Sequence, residues 1–200
     1  MELQSCISSR ASSRAFKSDR ISDEIITEIL NAARYAPSPK NRQPWRFIIL
    51  SDEEKMNLVK HYRENVITPP CSPHHLMNNE TDSINVSFGI IKKAPILILV
   101  FNAYPSEYIL SAHNYYFDLM NIQSIGAAIQ NILLKATDLG IGSLWIGDIF
   151  EEEAFILKQY PNIGKLVAGI VLGYSYANKK QTNRLSLSKL IINTKGGNSI

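Results

Sequence analysis

Residues 33–45, Ala33-Arg34-Tyr35-Ala36-Pro37-Ser38-Pro39-Lys40-Asn41-Arg42-Gln43-Pro44-Trp45, contain in one short run a helix stop, a polar loop and a strand start. Pro37 cannot continue a helix, because its ring removes an N–H donor and clashes with the preceding turn. Upstream, Ile25, Ile26, Ile29, Leu30 and Ala33 recur at helical spacing. Ser22 followed by Asp23 and Glu24 starts that helix: a side-chain cap, then two acids against the positive end of the dipole. Downstream, Trp45-Arg46-Phe47-Ile48-Ile49-Leu50 reads as a strand.

Working outward, Asp52 to His61 predicts a short helix. Arg63 to Asn85 is polar and broken by Pro69, Pro70 and Pro73, so it reads as a long loop or mobile lid. Pro95 to Phe101 is apolar throughout after its proline, as a strand buried on both faces requires. Leu119 to Leu139 predicts the longest helix, with Ile122, Ile125, Ile129, Ile132, Leu133 and Ala136 covering much of its circumference. Gly140-Ile141-Gly142 stops it. Ser143 to Gly147 then reads as a third strand, Glu151 to Tyr160 as a helix, and Leu166 to Gly173 as a fourth strand. The stretch from Tyr174 to Ile200 reads as an arm wrapping over a surface, its own or a partner's. The expected architecture is a single α+β domain over 1–200: a small central sheet, mixed or antiparallel, surrounded by helices with one long core helix.

Composition bounds the function. The chain has 200 residues, 45% apolar and 20% charged, which is ordinary for one globular domain. A formal charge of +3, with Lys and Arg scattered between acids, excludes a nucleic-acid binder and suits an anionic ligand. Two distant cysteines, Cys6 and Cys71, make a disulfide scaffold an unsuitable description and point to a reducing cytoplasm. Met1 to Arg10 lacks the apolar run of a signal peptide, and the stretch Ala94 to Phe101 is too short to span a bilayer. A cytoplasmic protein with no membrane partner is expected.

Most chemical signatures fail. Gly140-x-Gly142 leaves a helix and enters a strand, the reverse of a dinucleotide fingerprint, and Trp145 stands where its third glycine belongs. Cys71, His74 and His75 match no zinc spacing, so no metal is expected. Arg10, Ser12 and Arg14 remain. Two guanidiniums and a hydroxyl can hold a phosphate dianion through charge-assisted hydrogen bonds. In an extended segment the three project to one side. A solvated polar N-terminus is the plain alternative.

Read together, these stretches resemble the nitroreductase family. Residues 33–45 are similar to its A-R-x-A-P-S-x-x-N-x-Q-P-W signature, and Arg10-Ala11-Ser12-Ser13-Arg14-Ala15-Phe16 to its R-x-S-x-R-x-F opening. Ala127-Ala128-Ile129-Gln130-Asn131 with Leu139 to Gly147 resembles its central helix and following strand. Ile170-Val171-Leu172-Gly173-Tyr174, with Arg184 beyond, resembles its last strand and C-terminal basic residue. The resemblance leaves out about Tyr62 to Val86, a variable segment.

The resemblance implies an intertwined homodimer holding FMN. It implies Arg10, Ser12 and Arg184 at the phosphate, and Arg14 near the ribityl chain and the N1–O2 edge of the flavin, where a positive charge eases reduction. Pro37, Ser38 and Asn41 would contact the isoalloxazine from the other subunit. Trp145, Ile146 and Gly147 would lie along the ring, with the Gly147 N–H toward N5. Trp145 is equally a candidate core aromatic, and Ser38 a candidate turn cap. A basic residue often found two positions before Arg184 is here Thr182, with Lys179 or Lys180 as substitutes. The implied reaction is ping-pong hydride transfer from NADH or NADPH to a small electron acceptor such as a nitroaromatic or quinone. No side chain is required as a catalytic acid. Acceptor choice is expected within Tyr62 to Val86; Tyr108, Tyr115 and Tyr116 are further candidates for it, with ordinary helix packing as their alternative. Alternatives on the same fold are dehalogenation, ring dehydrogenation, flavin fragmentation, or flavin binding without turnover.

Overall fold

The computed structural model describes residues 1–65, 80–105, 112–176 and 182–191. Cys71, His74, His75, Tyr108, Lys179 and Lys180 lie outside them. Four strands, β1 (Trp45–Leu50), β2 (Ile96–Asn102), β3 (Gly142–Ile146) and β4 (Lys165–Gly173), form one sheet in the order β1-β2-β4-β3. Every pairing is antiparallel, with Trp45 opposite Asn102, Ile98 opposite Ile170 and Trp145 opposite Ile170 on its other side. The seven helices among the described residues are α1 (Leu3–Ser9), α2 (Asp23–Ala33), α3 (Asp52–Asn65), α4 (Glu80–Lys93), α5 (Ala112–Asp138), α6 (Glu153–Gln159) and α7 (Leu187–Leu190).

The apolar run of β2 works as its composition predicts. Leu97, Leu99 and Phe101 enter one core with Leu58, Phe88, Ile91 and Ile156, while Ile98 and Val100 enter another with Ile26, Ile29, Ile125 and Ile129. The sheet is therefore the middle layer, with α3, α4 and α6 on one face and α2 and α5 on the other. All five residues from Leu97 to Phe101 are fully buried, each worth roughly 1.5–3 kcal/mol of transfer free energy.

Local signals account for the helix ends. The Ser22 hydroxyl accepts the Ile25 N–H at 3.4 Å, capping α2 as expected. At the end of α5, Ile141 N–H donates to the Ala136 carbonyl at 2.8 Å and Gly140 N–H to Thr137 at 3.1 Å. That paired closure needs a left-handed residue, and Gly140 supplies it with φ 72°.

Several expectations need correction. Arg63 to Asn85 is not one loop: α3 runs on to Asn65 and α4 begins at Glu80. The segment around Pro69 to Pro73 hid the helical stripe that resumes beyond it. α5 starts at Ala112, earlier than Leu119, and it covers one face of the sheet instead of forming the centre. Ile122, read as core, is 39% exposed and Leu119 is 40% exposed, because the apolar stripe of α5 extends past the core of a single chain. α1 was not anticipated.

Candidate functional site

Residues 10–16 form an extended strap on the outer edge of β3. Ser12 bridges Ser143, the Ser13 N–H donates to the Ser143 carbonyl at 2.9 Å, and Phe16 bridges Ser175. Lys17 N–H donates to the Tyr174 carbonyl at 2.7 Å, so the chain beyond β4 holds the strap's far end. Ala11, Ser13 and Phe16 are buried; Ser12 and Arg14 are exposed and Arg10 is half-buried. This period-two pattern puts Arg10, Ser12 and Arg14 on one side of the strap, as the extended reading requires.

The strap delivers Arg14 to a cleft of about 420 Å³, which it lines together with Trp145, Ile146 and Gly147 at the end of β3. Trp145 is 43% exposed and so is not a core aromatic, whereas Ile146 is buried. The turn after β3 adds Asp148, and α4 adds Ser83, Val86, Ser87 and Ile90. The Ser87 hydroxyl donates to Asp148 Oδ2, tying α4 to that turn. One step further, buried Glu152 meets His61 of α3, whose ring stacks on Phe155 with centroids 4.0 Å apart. Desolvation raises the Glu152 pKa, and the His61 contact offsets part of that rise.

Gly147 has φ −83° and ψ −34°, a conformation open to any residue. A Cβ built there meets nothing within 4 Å. Neither backbone strain nor packing within the chain calls for glycine. What glycine leaves is room for a flat group to approach the backbone closely, the fit expected for a flavin ring.

The 37–43 loop is tightly bound to itself. Ser38 Oγ accepts the Gln43 N–H at 2.9 Å, and the Asn41 N–H donates to the Ser38 carbonyl at 3.0 Å. Ser38 therefore does hold the turn. Lys40, Asn41 and Gln43 all have φ near 50° (53°, 53° and 50°), a strained region for residues with side chains. Pro37 and Asn41 are exposed. This loop feeds β1, at the opposite sheet edge from β3. Three strand spacings of about 4.8 Å put the edges roughly 14 Å apart. One chain thus does not bring Pro37, Ser38 and Asn41 into the Arg14 cleft.

Arg184 is exposed and its guanidinium donates to Thr182, and among the described residues no hydrogen bond joins it to Ser12. Tyr115 and Tyr116 are exposed and pack edge-to-face on each other at 5.5 Å, so they are not ordinary helix packing. Ser83 and Val86 fall within the Tyr62 to Val86 stretch expected to choose the acceptor, whereas Ser87, Ile90 and Asp148 are not among the expected site residues. Their signal was present: positions 83, 86, 87 and 90 are spaced as one helix face. A larger cleft of about 800 Å³, between the starts of α2 and α3, shares no residue with this one. Among the described residues no His, Cys, Asp and Glu cluster could hold a metal, and no helix is long and apolar enough to cross a membrane.

The sequence model of the nitroreductase family matches residues 7–174. A protein of Archaeoglobus fulgidus, provisionally named an NADH dehydrogenase/NAD(P)H nitroreductase, is 35% identical over 147 residues, covering 74% of this chain and 68% of its own. The crystal structure of a provisionally named nitroreductase from Desulfovibrio desulfuricans, in complex with FMN, superposes with a TM-score of 0.72 at 25% identity, covering 98% of each chain. A BluB-like flavoprotein from Clostridium difficile superposes with a TM-score of 0.72 at 26% identity, covering 98% of this chain and 100% of that one. With its opening strap, its signature loop and its β3 cleft all inside the matched residues, the chain belongs to the nitroreductase family.

Proposed function

We propose that this chain is a cytoplasmic FMN-dependent oxidoreductase that takes reducing equivalents from NADH or NADPH and passes them to a small acceptor such as a nitroaromatic or quinone. The observation that carries the reading is the delivery of Arg14 into the same cleft as Trp145, Ile146 and Gly147. FMN, when bound, supplies the redox chemistry, accepting electrons from the nicotinamide and releasing them to the acceptor. The chain supplies binding, orientation and charge.

In this reading Arg10 and Ser12 hold the FMN phosphate from the outer side of the strap, with Arg184 closing on it. Arg14 places its guanidinium at the N1–O2 edge of the ring, where negative charge accumulates on reduction. Trp145, Ile146 and Gly147 border the isoalloxazine, and the absence of a side chain at Gly147 lets the backbone come close. Pro37, Ser38 and Asn41 come from a second copy of the chain, which supports a homodimer with shared sites. The exposed Leu119 and Ile122 on α5, with Leu185, Leu187 and Leu190 near the C-terminus, are apolar surface such a partner would cover.

The test is an absorbance spectrum of the purified protein under anaerobic conditions, before and after NADPH and then NADH. A flavin spectrum that bleaches with either donor is expected. A flavin that stays oxidised would move the reading to the other chemistries of the fold. A protein that takes up no FMN would overturn it.

A further inference from the structure

We propose that Asp148 sets acceptor specificity, as a fixed negative charge that favours neutral aromatic acceptors over those bearing a carboxylate. The proposal rests on the oxidoreductase reading above. It comes from the wall of the cleft that the family motifs do not cover. Ser83, Val86, Ser87 and Ile90 lie on one face of α4 at i, i+3, i+4 and i+7, and all four line the cleft. Val86 is 57% exposed, an apolar side chain held where an aromatic ring can cover it. The Ser83 hydroxyl is the donor on that wall suited to a nitro or carbonyl oxygen, the Ser87 proton being given to Asp148.

Charge decides between acceptors of the same shape. Among the described residues lining the cleft, Arg14 is the one cation and Asp148 the one anion. Arg14 is assigned to the flavin edge, so Asp148 is the charge that a second ligand meets. Its carboxylate is not free to swing away, because Oδ2 accepts the Ser87 hydroxyl. Neighbouring acids add to its sign: Glu151 follows in the same turn and Glu153 opens α6, while Glu152 points inward to His61. A carboxylated acceptor entering here is repelled by Asp148 and gives up its water without gaining a cation. A neutral isostere suffers neither effect. This is specificity by rejection, with little contribution to the affinity of the favoured ligand.

Benzamide and benzoate, nearly isosteric, test this by titration into the oxidised FMN-loaded protein, reading the perturbation of flavin absorbance. The expected result is tighter binding of benzamide, by about tenfold or more. Asp148→Asn keeps an oxygen for Ser87 but removes the charge. It should tighten benzoate by about tenfold, equivalent to about 1.4 kcal/mol, and leave benzamide unchanged. The kcat/KM ratio for 4-nitrobenzamide over 4-nitrobenzoate should fall in parallel. Should the Asn variant fail to fold, Ser87→Ala serves: an unbraced Asp148 should narrow the benzamide preference by about two- to threefold. Equal binding of the two ligands by the native protein, or an unchanged preference in the variants, would overturn the proposal while leaving the oxidoreductase reading intact. A protein that takes up no FMN in the first spectrum would overturn both.

Discussion

His61 Nδ1, on α3, lies 2.5 Å from Oε2 of Glu152, a residue only 5% exposed in the turn that follows Gly147. Removing the ring by His61→Ala leaves a buried carboxylate with its hydrogen bond unmade and also removes the stacking on Phe155. The expected loss is about 1–3 kcal/mol, read from urea unfolding. A change within about 0.3 kcal/mol would show that the contact is incidental to folding.

The same pair gives a pH dependence with a defined sign. Burial raises the folded-state pKa of Glu152 above its ordinary value, with His61 opposing the rise. The folded state therefore favours the protonated acid. That contribution is fully present below the ordinary glutamate range and is lost as pH rises through the raised value. Compared with Glu152→Gln, which does not titrate, the native protein should lose thermal stability as pH goes from about 4 to 7. A Tm difference between the two that stays flat across this interval would contradict the assignment.

Gly147→Ala should separate folding from cofactor binding. The backbone angles suit alanine and its Cβ meets nothing within 4 Å, so the Tm of the FMN-free protein should hold or rise slightly. FMN affinity, measured by fluorescence quenching, should fall by about tenfold if the ring approaches this backbone, on the order of one lost hydrogen bond. Unchanged affinity would remove Gly147 from the site.

Gly173→Ala tests the strap. A Cβ there would lie 2.8 Å from Cδ1 of Phe16 and 2.7 Å from Cδ of Pro95, so the buried Phe16 must move. The expected destabilisation is about 1–3 kcal/mol. Faster proteolysis at residues 10–17 should accompany it, and a normal cleavage pattern would show that the strap is held by other contacts.

Replacing Arg10 and Arg184 together by Ala should weaken FMN binding by about 150-fold or more, since each charge-assisted hydrogen bond contributes roughly 1.5–3 kcal/mol. Equilibrium dialysis gives the number, and full flavin retention would refute the phosphate assignment. The second arginine is the sharper part of the test, because within one chain its guanidinium donates to Thr182.

Leu187→Glu with Leu190→Glu should shift sedimentation toward monomers without lowering the stability of the isolated chain, since these side chains are 63% and 61% exposed there. An unaltered dimer would mean that this segment is not covered by a partner.

The fold was legible in the sequence wherever a residue's chemistry leaves one local option. Pro37, the Ser22 cap and Gly140 punctuate the chain regardless of context, and β2 announces burial on both faces by having no polar residue between Ile96 and Phe101. α1 was illegible because Leu3 to Ser9 carries no charged ends and buries only Cys6; the Met1 amino group fixes it by pairing with Asp138 far along the chain. α4 was obscured by the prolines before it. In the site, the juxtaposition of Arg14 with Trp145 to Gly147 was readable only through the family resemblance, because it depends on a pairing between Ser12 and Ser143. The separation of the 37–43 loop from that cleft follows from strand order, which no local pattern encodes.

The strap also carries a consequence for how the molecule is made. Ser12 finds Ser143, and Phe16 finds Ser175, only after nearly the whole chain exists. Such distant contacts must overcome loop-closure entropy before they contribute anything, so they form late. Arg10 and Arg14 leave the ribosome well before β3 and β4 yet reach their places in the fold late, and the Arg14 cleft is unfinished until the chain beyond β4 has emerged. Hydrogen exchange should record the same order in the mature protein: the Ser13 and Lys17 amides open well before those of β2.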